Sequence, residues 1–453
     1  MEFMGLFKHY VKAVWFGLLV VVNAAAVDTV YVAGQGSDGQ AVLFSLPLDI
    51  PAIEAETANW EQLSFGFGNL QLHSHFTTFH RPLSGGRHLF VDHNGNLRIY
   101  IKQEATGQYI PKMVYLDQGV LGFHTKAQQS WYKPYAVSNR FDFSPVQISD
   151  EIELNGHKTV FLLVDNRVFT LNLDELSSTG SPTAVQPYPE KGKNQLISDN
   201  DLDFYPSGLT LLVGHKADKA SVRVVASMDR LKRKKARDLQ RKVWMFYSEL
   251  TAEDQSWKRL PVAERTQGLG IDFEKDQSSH WEAQKYNNGD IKSLCADSST
   301  QELLFRGHHN HLMVFSDPYS DIATPAPDHS GDNIYRLQGS DDVSHRDLMA
   351  CFDGSLVMAA ATLDDEEDLK EGKVNDRPRW LVITHRSDRK SQTSGYGGDY
   401  LSPVKTEWKR LLEVPSFGRT SGNWAYSINI LPGTEPVKVN TKTPPRSGIK
   451  AEL

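Results

Sequence analysis

The residues able to do chemistry gather in short polar clusters, each unlike the others. They are Phe79-His80-Arg81, Asp201-Leu202-Asp203-Phe204-Tyr205, His280-Trp281, Tyr335-Arg336, Ser344-His345-Arg346-Asp347 and Asn423-Trp424-Ala425-Tyr426. Histidine and arginine can donate to a carbonyl or anionic oxygen, and the aromatic rings offer flat stacking area. Histidine can also carry a proton near neutral pH, so a His beside an Arg suits acid–base work on an oxygen-bearing substrate. On this basis catalysis is assigned to His345 and Arg346. Substrate binding is assigned to His80, Arg81, Trp281, Tyr335, Arg336, Trp424 and Tyr426. For any one of these, the alternative role is a structural bridge between neighbouring sheets.

Several chemistries have no support. The chain has no Gly-x-Ser-x-Gly elbow, no phosphate-binding P-loop, no His-Glu-x-x-His pair and no dinucleotide fingerprint. His73-Ser74-His75 would set two imidazoles on one strand face, with His80 and His88 following and His308-His309-Asn310-His311 in a turn. No further ligand is identified by the sequence, so no metal and no cofactor are assigned. A metal-dependent hydrolase would need Asp201, Asp203, Asp347 and Asn423 to converge on one point.

The elements that must hold these clusters read as short strands in hairpins. Val30-Tyr31-Val32-Ala33 and Ala41-Val42-Leu43-Phe44-Ser45-Leu46 flank a Gly/Ser/Asp turn, and Leu89-Phe90-Val91 and Leu97-Arg98-Ile99-Tyr100-Ile101 flank Asn94-Gly95. Residues 160–164 and 167–173, 209–213 and 242–247, 303–305 and 312–315, and 348–352 and 355–361 repeat the plan. The runs are β-branched and aromatic, and Asn-Gly or Asp-Gly accepts the positive φ angles of tight turns. First strands that are apolar throughout imply burial on both faces. Trp60, Trp257 and Trp408 each open a similar Trp-x-x-Leu segment, which suggests one packing job repeated between sheets.

Repeated hairpin sheets along a chain of 453 residues predict an all-β fold, a β-propeller of about six blades. The segment 424–431 is expected to close the ring by pairing with an N-terminal strand. Ligands of such a fold bind where loops converge over the axis, and unlike loops favour one asymmetric pocket over several equivalent ones.

The front of the chain fixes the expected compartment. Lys8, His9 and Lys12 precede an apolar run over 13–22 and a small-residue end, Asn23-Ala24-Ala25-Ala26. That order predicts a cleaved signal peptide over 1–26 and a secreted or lumenal protein. The apolar run is shorter than the roughly 20 residues of a membrane span, so no stable membrane insertion is expected. The propeller is expected over 27–431, with a basic insert at 229–242 read as a loop or short helix, and a disordered tail at 432–453. A net charge of −7 gives no overall attraction to nucleic acid, and the expected partner is a small molecule. Cys295 and Cys351 either pair in the oxidising route or stay as buried thiols.

The opening, with its leader, Val30-Tyr31-Val32-Ala33-Gly34, Val42-Leu43-Phe44-Ser45-Leu46-Pro47-Leu48-Asp49 and Trp60, resembles fungal secreted-type six-bladed propeller proteins. Among these are the hetero-Diels–Alderases of tropolone-sesquiterpenoid pathways, to which the chain is similar in length, leader and strand layout. The resemblance implies a cofactor-free cyclase that dehydrates a tropolone alcohol and adds the resulting quinone methide to a terpene alkene. No site residue is carried over, because no catalytic motif matches. A secreted propeller lectin or protein-binding module is the alternative.

Overall fold

The computed structural model describes residues 27–36, 41–63, 65, 80–91, 97–114, 146–164, 166–175, 185–190, 193–197, 204–216, 219–235, 238–260, 294–306, 312–316, 334–338, 343–362, 380–391, 403–415 and 425–441. They form a six-bladed β-propeller. The leader lies outside the described residues.

The chain opens with β1 (Thr29–Gln35), β2 (Ala41–Pro47) and β3 (Glu61–Leu63), the outer three strands of blade 1. Blade 2 is a meander of β4 (His80–Leu83), β5 (Arg87–Val91), β6 (Leu97–Lys102) and β7 (Tyr109–Val114). Blade 3 contains β8 (Val146–Ile148), β9 (Ile152–Leu154), β10 (His157–Val164), β11 (Arg167–Asn172) and β12 (Val185–Pro187), with β8 and β9 sharing one edge of β10. Blade 4 is β13 (Phe204–Lys216), β14 (Lys219–Lys235), β15 (Asp238–Glu249) and β16 (Lys258–Leu260). Blade 5 is β17 (Leu294–Asp297), β18 (Glu302–Arg306), β19 (Leu312–Ser316) and β20 (Ile334–Gln338).

Blade 6 holds β21 (Val343–Phe352), β22 (Ser355–Thr362) and β23 (Trp380–His385) before its outer strand. The chain then leaves the blade. Its strands β24 (Arg389–Ser391) and β25 (Pro403–Thr406) extend blade 5, β25 running parallel to β20. It returns as β26 (Lys409–Glu413) to finish blade 6. Next, β27 (Ala425–Leu431) becomes the innermost strand of blade 1, paired with β1 so that Val30 faces Ile430 and Val32 faces Ile428. The ring is therefore closed by a blade built from both ends of the chain, as expected for 424–431.

Strand alternation explains why neither face of a blade is wet. In β10, Val160, Leu162 and Val164 join the apolar cluster shared with blade 2, while Phe161 and Leu163 join the one shared with blade 4. Leu211 and Val224 of blade 4 face blade 3, whereas Leu212 and Val225 face blade 5. Leu356 and Val382 of blade 6 face blade 5, and Val357 and Leu381 face blade 1. A side-chain period of two thus sends alternate residues into opposite seams, so each blade depends on both neighbours for burial.

The tryptophan repeat has the same logic. Trp60, Trp257 and Trp408 each sit one residue before the outermost strand of their blade. Each packs onto the preceding blade. Trp60 donates its indole N–H to the Glu413 carbonyl of blade 6 (2.9 Å), and Trp257 donates to the Tyr188 carbonyl beside blade 3 (3.3 Å). Trp408 joins Leu304 and Val314 of blade 5.

Two segments differ from expectation. In its described residues, 229–235 and 238–242, the basic insert is strand, part of the long β14–β15 hairpin, rather than a loop or short helix. Its Lys/Arg composition does not reveal a strand, yet the strands continue the register of the blade without a break at its start. The tail does not lose order at Pro432. Here β28 (Val437–Val439) pairs parallel with β9, and Asn155 and Thr441 exchange hydrogen bonds of 2.8 and 2.9 Å. Asn155 and Gly156 turn the β9–β10 hairpin with φ of 52° and 83°, the positive angles these residue types accept. Among the described residues, no helix is long and apolar enough to cross a membrane.

Candidate functional site

The six innermost strands, β4, β8, β13, β17, β21 and β27, surround one axial cavity of about 50 Å³. Its wall is chemically two-sided. Blades 1 to 4 present Arg81, Gln147, Asp150, Ser207, Thr210 and Asn429, with Gly208 and Leu209 between the two hydroxyls of β13. Blades 5 and 6 present Leu294, Cys295, Ala296, Met349, Ala350 and Cys351, with Ile428 and Ile430 completing the apolar side. At roughly 10–15 Å³ per water, the space takes a few waters or the polar head of a ligand, not a terpene skeleton.

Arg81 is held by blade 3. Its Nη1 donates to Asp150 Oδ1 at 2.7 Å and its Nη2 to the Ile148 carbonyl at 2.8 Å. The ion pair is thus a blade-to-blade bridge and part of the cavity wall at once. The Arg81 Nε is buried and has no hydrogen-bond partner among the described residues. Arg81 lines the cavity, and the planar, strongly directional donors of a guanidinium suit an anionic or carbonyl oxygen.

Asn429 is fixed from behind. Its carboxamide N–H groups donate to the His80 carbonyl and to Ser427 Oγ, both at 2.8 Å. Ser207 donates to Ser227 Oγ at 3.0 Å. Next to it, Gly208 has to be glycine, because a Cβ there would lie 2.6 Å from Leu294 Cβ and 2.8 Å from Ser227 Oγ. That missing side chain lets β13 and β17 approach closely at the axis. Cys295 and Cys351 are bonded between β17 and β21, with 5.7 Å between their Cα atoms, which settles the two alternatives in favour of the pair.

His80 belongs to the seam between blades 1 and 2, not to the cavity wall. It is 2% exposed, its Nε2 lies 3.1 Å from Nδ1 of His88, and the two rings stack 5.3 Å apart. Tyr31, Phe65, Phe90 and Tyr109 surround the pair. Burial pushes His80 well below the usual imidazole range, helped by His88 and Arg81, and burial alone takes His88 down to about 3. Both rings are therefore neutral near pH 7. Burial also raises the Tyr31 hydroxyl to about 12, with Tyr109 and Glu61 adding to the shift.

The remaining expected site residues divide. His345 and Arg346 lie in β21 and Tyr426 in β27, both innermost strands, rather than in loops. They precede the cavity-lining residues of the same strands, Met349 and Ile428, so they belong to one end of the channel if each blade repeats the same meander sense. Four extended residues span roughly 13 Å, less where β21 is irregular between His345 and Met349. Tyr335 and Arg336 sit in β20, the fourth strand out from the axis, roughly 14 Å from the innermost strand at 4.8 Å per strand, rather than in a loop before blade 6. Trp281 and Trp424 lie outside the described residues, as do His73, His75, Asp201, Asp203 and Asn423. Among the described residues, no group of three or more His, Cys, Asp or Glu side chains could hold a metal ion.

Gln147, Asp150, Ser207 and Asn429 were missed. The closing strand does carry a trace of them: Ser427-Ile428-Asn429-Ile430 alternates polar with apolar, the pattern of a strand with two unlike faces.

No family model and no curated protein sequence matches the chain. Among solved structures it is similar to an ulvan lyase of polysaccharide lyase family 25 at 10% identity and a TM-score of 0.37, covering 86% of this chain and 82% of that one. It is similar to Sqt1 of Saccharomyces cerevisiae at 8% identity and a TM-score of 0.34, covering 85% and 93%. It is also similar to apo AztD of Citrobacter koseri at 7% identity and a TM-score of 0.31, covering 87% and 99%. Likeness of this degree bears on neither ligand nor reaction.

Proposed function

We propose that the chain is a propeller enzyme with a single active centre at the axial channel, working as a cofactor-free hetero-Diels–Alderase. The observation that supports one centre is the unlike wall of the axial cavity. Six innermost strands contribute different residues, polar on one side and apolar with a disulfide on the other. A lectin with a site in every blade would repeat its ligand-holding residues instead.

In the reaction, a tropolone alcohol loses its side-chain hydroxide and the proton of its ring hydroxyl as water, leaving a quinone methide whose C=C–C=O unit is the heterodiene. A terpene alkene then supplies two electrons, and new C–C and C–O bonds close a dihydropyran. Arg81 is suited to bind the tropolone oxygens, where its donors stabilise the charge that builds on the carbonyl oxygen. His345, farther along β21, is assigned to the proton transfers of the dehydration, and Arg346 beside it to hydrogen-bond donation to the departing oxygen. The cavity receives only the oxygenated head, so the terpene lies at the channel mouth, held in a productive pose largely by shape.

The test is incubation of the purified mature chain with a tropolone alcohol and humulene, followed by chiral chromatography and mass spectrometry of the adduct. One stereoisomer formed faster than in buffer supports the reading. A racemic adduct at the buffer rate, together with specific retention on a glycan array, replaces it with a binding module.

A further inference from the structure

We propose that the tip of the blade 4 hairpin is a docking site for a linear sulfated polysaccharide. The segment 229–242 carries eight Lys and Arg residues against two Asp, a net +6, in a chain whose net charge is −7. The positive charge is concentrated where the hairpin outgrows its blade. Pairing of β13 with β14 ends at Arg230, and β16 pairs with β15 only over Met245 to Tyr247. Beyond those points, β14 and β15 pair with each other alone among the described residues, through Leu231 and Arg241, Lys232 and Gln240, and Arg233 and Leu239.

A two-stranded ribbon is marginal by itself and depends on favourable cross-strand neighbours. This one does the reverse at its root, where Arg230 stands directly opposite Lys242. Near its far end Lys235 faces Asp238, but no other described cross-strand pair beyond Arg230 sets an acid opposite a base, and more mixed signs would hold a merely solvated ribbon better. A bound polyanion removes the repulsion and makes the arrangement favourable.

The register also selects the kind of partner. Arg230, Lys232 and Lys242 share one face of the ribbon, and Arg233 and Arg241 share the other. Residues on one face of a strand recur about every 6.8 Å. A flexible filament can follow cations on both faces, whereas a flat bilayer meets only one. The leader expected over 1–26 directs the chain to the lumen or the outside, where linear polyanions are acidic polysaccharides rather than nucleic acids.

Heparin is the probe. The unaltered mature chain should bind immobilised heparin at about 0.15 M salt and release it as salt rises, since exposed charges are screened over about 8 Å there. Two variants carry the test: one replaces 231–241 with Asn-Gly, and the other combines Lys232→Glu, Arg233→Glu, Lys234→Glu and Lys235→Glu. Both should weaken heparin binding by about tenfold or more while the melting temperature stays within a few degrees of the unaltered chain. Heparin binding unchanged in both folded variants overturns the proposal. So does a chain that prefers phosphatidylserine vesicles or single-stranded DNA to heparin at the same salt.

Discussion

Cys295 of β17 and Cys351 of β21 are bonded across the seam between blades 5 and 6, and both border the axial cavity. The bond joins two strands that are consecutive around the ring but belong to separate blades. It therefore acts on the relation between blades, while each blade's own ladder of hydrogen bonds remains intact without it.

Its removal should loosen the ring. The residues are 56 apart, and closing a loop of that length in the unfolded chain corresponds to about 4 kcal/mol in the chain-entropy view, with measured cases commonly about 2–4. The double variant Cys295→Ala, Cys351→Ala should lower the urea midpoint accordingly, and reductant should lower the unaltered chain to the same value. A midpoint that does not move in either experiment contradicts a bonded pair.

The blades were legible in the sequence because their strands carry a strong signal. Residues 160–164 are apolar without interruption, Asp353-Gly354 marks a turn, and both behave as read: β10 is buried on both faces, and Asp353 and Gly354 have φ of 40° and 76°. The innermost strands of blades 4, 6 and 1 were legible over 209–213, 348–352 and 424–431, but those of blades 2, 3 and 5 were not. His80-Arg81-Pro82-Leu83 is short, half polar and contains a proline, all features of a loop, yet it is the strand of blade 2 nearest the axis. Its Arg81 borders the cavity while the adjacent His80 does not, a distinction set by strand alternation that becomes visible only once the strand is recognised. Arg81, Gln147, Ser207 and Asn429 come together from four blades over nearly the whole length of the chain, and no local pattern records that meeting.

The buried histidine pair should make the protein acid-sensitive. His80 and His88 are depressed in the folded state, and His88 titrates near 3 against about 6.5 when unfolded. Between those values the unfolded chain holds more protons, so stability falls as pH drops below about 6.5, by up to about 1.4 kcal/mol per unit for each such group. His88→Phe should flatten this slope between pH 6.5 and 4 in a series of urea melts. An unaltered slope would mean that other groups dominate the acid limb.

Trp257 and Trp408 should not respond alike to loss of the indole N–H. Trp257 uses it on the Tyr188 carbonyl and is only half-buried, so Trp257→Ala should cost about 1–3 kcal/mol rather than the 3–5 of a fully buried ring. Trp257→Phe should lose about 1 kcal/mol with the hydrogen bond. The Trp408 Nε1 is buried without a hydrogen-bond partner among the described residues, so Trp408→Phe should be nearly neutral. Equal losses for the two Phe variants in thermal melts would remove the contrast.

Arg81 should show both of its roles in separate measurements. Arg81→Met removes the bridge to Asp150 and to the Ile148 carbonyl. Asp150 is close to half exposed and can take up water in place of the guanidinium, which limits the structural cost to about 1–2 kcal/mol. The functional cost should be larger, because no water replaces an oriented donor at the moment charge develops. Under the cyclase reading, turnover should fall about 10²–10³-fold in the folded variant. Arg81→Lys keeps the charge and can still reach one of the two acceptors, but it loses the planar fork. It should therefore recover most of the stability and little of the rate. A Lys variant that restores both equally would make Arg81 a structural bridge alone, and the oxygen-binding role would have to pass to another residue of the cavity wall.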